Sequence, residues 1–380
     1  MLFDFTPDQL AFQEKAKLYA QESLMSGAQG REDSHDIAPE TIKGLGDRGL
    51  LGVNISKEYG GSAAGVVAYA LAVREIAKGD PSVAVTMAVT NMVGEVLEAY
   101  GTEQQRQQYI PKLTSGEFFG GAFALSEPAA GSDAGALQTK AERVDDHWVI
   151  NGEKLWITTG DRAGVVVVWA RTGGTGAKGI SCFLVDGNAE GLSTGKPEEK
   201  MGLRASHTVS LSLSDVRVPE SAMLGQEGEG FKIAMMALDG GRIGISSQSL
   251  GMAYGAMDRA RKIMLDDKAI ASSQGIQFKL ADIGTESDAA WLLALRAAWL
   301  KETKQPFSKE AAMAKVYATE AANTATQRAL QIGSAHGHMN DSLLARYFRD
   351  CRVTRIYEGT SEVQRIVISR SLLREAQSNR

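Results

Sequence analysis

The chain has 380 residues, 43% of them hydrophobic and 23% charged, with a formal net charge of −5 at pH 7. That length supports two or three domains and a sizeable core, and the acidic balance supplies no basic field, so nucleic acid is not an expected partner. Cys182 and Cys351 stand far apart without metal-ligand spacing or a disulfide framework, which points to a reducing compartment and two buried thiols.

The opening stretch MLFDFTPDQLAFQEKAK carries acids early and has no basic segment followed by an apolar run, so neither a signal nor a transit peptide is expected. The longest apolar runs, such as residues 165–170, are too short to cross a bilayer. A soluble cytoplasmic protein, not a membrane protein, is the expectation.

Helical punctuation fills the first third. Thr6 caps a helix with Pro7 at its first position and Gln9 closing a capping box; Gly101, Thr102 and Gln105 repeat the logic as stop, cap and partner. Between them, PSVAVTMAVTNMVGEVLEAY is apolar or small nearly all round, as in a helix buried among others. Met87, Met92, Val93 and Leu97 are either cavity lining or core.

After Gly116 the period shortens. HWVINGEKLWIT places Asn151-Gly152 between two apolar stretches, a hairpin signal, and GVVVVWAR, GISCFLVD and TVSLSLSDVRVP read as further strands. Helical spacing returns from Gly230. The expected order is a helical segment over 1–118, a β domain over 119–229 and a second helical domain over 230–380.

Three stretches carry possible chemistry. ALSEPAAGSD (Ala124 to Asp133) is a loop that either holds a ring edge or phosphate through N–H groups and hydroxyls, or is a plain surface turn. In KLWITTGD, period-two spacing puts Trp156 and Thr158 on one strand face, to cover a flat ring or simply to pack. In RIYEGTSEVQR, Glu358 is either a solvated helix-end glutamate or a base in a dry site.

With DVRVPESAMLGQEGEGF and LDGGRIGISSQSLG in the same order, these segments resemble the acyl-CoA dehydrogenase family over essentially the whole chain. The resemblance implies an α+β fold: an N-terminal helical domain, a middle β-barrel or sandwich and a C-terminal four-helix bundle. It implies FAD as cofactor, met by Phe123, Leu125 and Ser126 at the pyrimidine edge, Ser132 near the diphosphate, Trp156 on the rings, Thr158 at N5, and Thr360 and Glu362 towards the nucleotide.

By the same resemblance Glu358 is the base that removes the α proton of an acyl-CoA thioester, while the β carbon passes hydride to the flavin to give a trans-2-enoyl-CoA. Tyr357 and Gly359 shape that site, and Ser132, Asp239 and Arg242 meet the substrate, although Asp239 and Arg242 at helical spacing can equally pair with each other. An electron-transferring flavoprotein is the implied electron acceptor, and a homotetramer or homodimer the implied assembly.

The match breaks at two places. Where the family carries an Arg, Phe and Gly that meet a neighbour's FAD, counting back from Gln274 gives Ile263, Asp266 and Asp267; Arg259 or Arg261 would substitute only after a register shift. In LQIGSAHGHMND, Ser334 and Ala335 replace adjacent glycines, with Gly333 a source of freedom, Gly337 retained, and His336 and His338 read as loop residues, not metal ligands. Two further readings follow: a hetero-oligomer whose related subunit completes the FAD site, or a non-redox acyl-CoA-binding or lyase-type homologue.

Overall fold

The computed structural model describes residues 4–378. Residues 1–3 and 379–380, which the opening stretch and the expected domain limits include, lie outside the described residues. Six helices come first: α1 (Pro7–Tyr19), α2 (Ala28–Ser34), α3 (Pro39–Gly46), α4 (Gly65–Gly79), α5 (Pro81–Tyr100) and α6 (Glu103–Thr114). Both expected capping boxes are present, at Thr6–Gln9 and Thr102–Gln105. Helix α5 starts where Asp80 accepts from the N–H groups of Ser82 and Val83, and is buried almost continuously from Pro81 to Leu97.

Eight strands follow: β1 (Gly121–Ala124), β2 (Lys140–Val144), β3 (His147–Thr158), β4 (Val165–Arg171), β5 (Ile180–Asp186), β6 (Leu192–Thr194), β7 (Thr208–Pro219) and β8 (Met223–Leu224). They form one mixed sheet in the order β6-β7-β3-β2-β4-β5-β8, with β1 parallel to β4. Val166, Val168 and Ala170 of β4 and Phe183 and Val185 of β5 share a core with Ile150, Ile157, Leu211 and Leu213 of β3 and β7, so the sheet curls over itself. The other face of β4 and β5, Val165, Val167, Trp169, Cys182 and Leu184, packs instead on the helices.

One local expectation is corrected here, and one strand departs from strict alternation. Asn151-Gly152 is no hairpin: β3 runs through it, and the chain reverses at Asp145-Asp146, where Val144 pairs with His147 and Asp145 takes φ 55°. Asn151 is used across the sheet, donating to the Asp215 carboxylate at 3.0 Å and accepting the Asp215 N–H at 2.8 Å beside a register shift. Strict alternation also fails at Trp156. Counted from buried Lys154 it would turn the indole inward, but one extra residue between Lys154 and Ile157 makes a bulge, with Trp156 at φ 63°.

The last section holds α7 (Gly230–Asp266), α8 (Lys268–Ser272), α9 (Gln274–Glu302), α10 (Ser308–Ile332), α11 (Ser334–Gly337), α12 (Leu343–Cys351) and α13 (Ser361–Ser378). Alanines drive its packing. Ala311, Ala314, Ala318 and Ala321 of α10 meet Ala290, Ala294 and Ala297 of α9 in one core, because small side chains let helix backbones approach closely. A separate core unites the three sections: Met92, Val96 and Leu97 of α5, Val167 and Trp169 of β4, and Ile233, Ala234 and Ala237 of α7. Trp169 is wholly buried and donates to the Gly230 carbonyl at 2.7 Å. Among the described residues no helix is long and apolar enough to cross a membrane.

Candidate functional site

The RIYEGTSEVQR segment leaves α12 through a single 3-10 turn (Arg352–Arg355) and reverses direction before α13. Glu358 and Gly359 both adopt left-handed backbone, at φ 55° and 84°. For a glutamate this conformation costs about 1–2 kcal/mol, so the surroundings must hold it there. They do so through the carbonyls: Gln364 Nε2 donates to the Glu358 and Gly359 oxygens at 3.1 and 3.0 Å, and Lys315 Nζ to the Gly359 oxygen at 2.7 Å. A Cβ at position 359 would sit 2.5 Å from Gln364 Nε2, so only glycine fits. The Glu358 N–H has no backbone acceptor among the described residues.

The Glu358 side chain turns towards α5 and α7. Its Oε2 is shut from solvent and has no hydrogen-bond partner among the described residues. A Cβ built on Gly241 would lie 2.8 Å from that oxygen and 3.0 Å from Met92 Sδ, which places a bare helix surface against the carboxylate. Burial raises the Glu358 carboxyl to about 7; Arg242 and then Lys315 hold it from rising further. A glutamate at that value is poised for proton transfer near neutral pH.

Around it, Arg242 is buried and paired with Asp239, whose carboxyl burial raises in spite of Arg242. The pairing at helical spacing is therefore real, and it lies beside Glu358. The Tyr357 hydroxyl donates to Gln248 Oε1, and Gln248 in turn donates to the Pro81 carbonyl at 2.8 Å, tying the loop to α5 and α7. Tyr357 also packs on the small core of Val85, Val89 and Leu203, against which Phe123 of β1 packs as well. Of the four α5 residues in question, Met87 belongs to the N-terminal core, and Met92, Val93 and Leu97 to the core shared with β4, with the Met92 sulfur beside Gly241.

On the sheet side, Leu125, Ser126 and Glu127 leave β1 and are fastened to β3. Leu155 N–H donates to Ser126 O at 2.9 Å. Lys154, fully buried, donates to Leu125 O at 3.3 Å and Glu127 Oε1 at 2.8 Å. The Glu127 carboxylate also accepts from Gln138 N–H at 2.6 Å and Thr139 N–H at 3.0 Å, closing the loop at its far end. Burial drags the Lys154 ammonium down to about 8 against the pull of Glu127. Burial works to raise the Glu127 carboxyl, yet Lys154 and the two N–H donors leave it below the usual range.

These features fit a flat, polar-edged ring system. Trp156 is 59% exposed on its bulge and Thr158 is half-buried after it, a platform that would otherwise waste a large indole on water. The orphaned Glu358 Oε2 lies across from Gly241. Other expected contacts are less concentrated: Ser132 sits in an exposed turn, Glu362 is exposed in the first turn of α13, and Thr360 caps that helix through Val363 N–H at 3.3 Å.

Sequence reasoning missed Lys315, Gln248, Gln364, Lys154, Glu127 and Tyr69. Lys315 had a legible signal: it falls on the same stripe as Ala311, Ala312 and Ala318, all buried, where a solvated lysine has no place. Tyr69 had none, since only the fold sets its hydroxyl 2.6 Å from where a Gly244 Cβ would stand.

At the departures, Ile263 is half-buried against the α7–α9–α10 core, Asp266 ends α7, and Asp267 caps α8 by accepting from Ala269 and Ile270 N–H. Arg259 and Arg261 are exposed, and Arg261 pairs with Asp258 at 3.4 Å. Gly333 does not supply the expected freedom. It is ordinary helix at φ −67°, while Ser334 takes the left-handed φ of 51°. His336 lies on the short helix α11, not in a loop, and His338 Nδ1 contacts Ser334 O at 2.8 Å. No metal-binding cluster occurs among the described residues.

Three family models match in sequence order: the acyl-CoA dehydrogenase N-terminal domain over residues 6–117, the middle domain over 122–216 and the C-terminal domain over 228–373. The rat short-chain specific acyl-CoA dehydrogenase, mitochondrial, is 44% identical over 367 residues, 95% of this chain and 89% of that protein. Butyryl-CoA dehydrogenase from Megasphaera elsdenii superposes with TM-score 0.96 at 38% identity, covering 98% of this chain and 100% of that one. A chain from a study of the electron transferring flavoprotein of Acidaminococcus fermentans superposes with TM-score 0.97 at 40% identity, covering 98% and 100%. With the three-layer order, the poised carboxylate and the ring platform already in place, the chain belongs to the acyl-CoA dehydrogenase family: it is an FAD-dependent oxidoreductase that dehydrogenates acyl-CoA thioesters.

Proposed function

We propose that Glu358 is the base of this dehydrogenation and that the substrate is a short-chain acyl-CoA converted to its trans-2-enoyl thioester. The observation that carries the reading is a dry, partnerless carboxylate oxygen titrating near neutrality. Its unpaired lone pairs face the space over Gly241, where a substrate C–H replaces nothing that the carboxylate already binds.

The Glu358 N–H, held outward by the two pinned carbonyls, donates to the thioester oxygen and so stabilises charge that develops there as the α proton leaves. Glu358 takes that proton. Bound FAD would supply the two-electron hydride acceptor for the β hydrogen, which the new carbon–carbon double bond requires. Phe123, Leu125 and Ser126 would hold the flavin edge, Trp156 would cover the rings, Thr158 would serve N5, Ser132 would hold the diphosphate, and Thr360 and Glu362 would serve the nucleotide. Asp239 and Arg242 brace the loop and meet the substrate arm, while Tyr357 and Gly359 shape its approach. The short-chain assignment draws on the names of the relatives.

An electron-transferring flavoprotein is the proposed electron acceptor, by the likeness to the chain from the Acidaminococcus fermentans study, and a cytoplasmic setting is proposed from the sequence. The proposed assembly is a homodimer or homotetramer. A second reading, a hetero-oligomer whose partner completes FAD binding, is favoured by one observation: Ile263 is committed to packing and Asp267 to capping α8, and Asp266 offers a carboxylate where a phosphate needs a cation. The deciding experiment for the first reading is conversion of butyryl-CoA by Glu358→Gln. Loss of enoyl product in a folded, acyl-CoA-binding variant is expected; retained conversion refutes the assignment.

A further inference from the structure

A fully buried lysine is costly unless something in the fold uses its charge. Lys315 is 0% exposed, and the one hydrogen bond of its ammonium among the described residues goes to the Gly359 carbonyl at 2.7 Å. It holds no carboxylate at ion-pair distance among the described residues, whereas the neighbouring cation Arg242 is bound to Asp239.

We propose that Lys315 is a positioning residue for the proton transfer: its ammonium fixes the Gly359 carbonyl and holds Glu358 as the carboxylate that receives the α proton. The proposal rests on Glu358 being the base. Its geometric part is the carbonyl contact. With Gln364, which reaches the oxygens of both Glu358 and Gly359, Lys315 over-determines two consecutive left-handed residues that a free loop would abandon.

Its electrostatic part follows from what surrounds Glu358. Arg242 faces it from α7, Lys315 from α10, Tyr69 from α4 and Tyr357 from its own loop. Glu320 and Glu362 add negative charge near Lys315. Glu320 is committed to Arg355 at 2.7 Å and to the Ser361 hydroxyl at 2.9 Å. Only Arg242 and Lys315 favour the charged form of the base, and Arg242 is shared with Asp239. Removing the ammonium therefore makes Glu358 harder to ionise, while a residue that only braced the loop would leave its titration where it was.

The test reads that titration without using activity. The melting temperature of the holoenzyme is compared with that of its Glu358→Gln counterpart across pH 4 to 9, in the native background and with Lys315→Gln, which keeps a donor but loses the charge. The pH at which the two melting curves stop diverging marks ionisation of Glu358 in the folded protein. We expect it to rise by about one unit in Lys315→Gln, with kcat/KM for butyryl-CoA down about fivefold at pH 7 and recovering by pH 9. Lys315→Arg keeps the native position. An unmoved position, with activity lost by the same factor at every pH, overturns the proposal. Should Lys315→Gln not fold, Lys315→Met is read by the same criterion. Failure of the base assignment shows separately, as enoyl product made by Glu358→Gln.

Discussion

Replacing Glu358 by Gln should make the protein more stable at alkaline pH and leave its stability unchanged in acid. Burial raises the native carboxyl to about 7 from the ordinary glutamate value of 4.5. A raised pKa favours the folded state while the group is protonated: that contribution is fully present below about 4.5 and is lost as pH rises through about 7. The gap is worth about 3 kcal/mol, at roughly 1.4 kcal/mol per unit. Glutamine has no proton to lose and escapes the penalty. With an unfolding entropy of about 2.1 cal/mol/K per residue over 380 residues, 3 kcal/mol corresponds to roughly 4 °C. Scanning fluorimetry of the two holoproteins between pH 4 and 9 measures it. The melting temperatures should run parallel below pH 4.5, diverge between 4.5 and 7, and run parallel again above. A difference that stays constant across the whole range would mean that Glu358 is solvated, and the reasoning from burial would be wrong.

Other consequences follow from the same coordinates. The kcat/KM profile for butyryl-CoA should rise with pH to a plateau, with an apparent pKa near 7 from Glu358; a profile flat from pH 5 to 8 counts against a buried base. Lys154→Met strands the Glu127 carboxylate in the sheet, a loss of about 3–5 kcal/mol for a broken buried pair. It should release FAD on gel filtration, whereas full flavin occupancy would show that the clamp is dispensable. Ser334→Gly relieves the left-handed serine at φ 51° and should stabilise by about 1 kcal/mol, read as a higher urea midpoint with unchanged slope. Trp169→Ala empties the core common to all three sections and removes the bond to Gly230, at a cost of about 3–5 kcal/mol, measurable by denaturant unfolding.

Much of the architecture was legible because it rests on local signals. Capping boxes at Thr6 and Thr102 mark helix starts, the apolar surround of α5 announces burial, and serines alternate with apolar residues in β7. Signals that depend on a partner strand misled. Asn151-Gly152 has the composition of a turn, but β7 supplies Asp215 to satisfy the asparagine and keep the strand running. Trp156 owes its exposure to a bulge that no period-two count contains. Glu358 was legible through its motif, but its environment was not: Gly241, Met92, Arg242 and Lys315 come from three other helices, and long-range packing alone brings them together. Gly333 was misjudged for a related reason, since its N–H stays in the helical pattern, donating to the Ala329 carbonyl at 2.9 Å, and its φ is −67°.

The central claim, that this chain oxidises acyl-CoA with Glu358 as base, is tested most directly by anaerobic titration of the FAD-loaded protein with butyryl-CoA. The flavin absorbance of the native protein should bleach as crotonyl-CoA forms, and the Glu358→Gln variant should bind the thioester while its flavin keeps its colour. Bleaching and enoyl formation in both proteins would contradict the account.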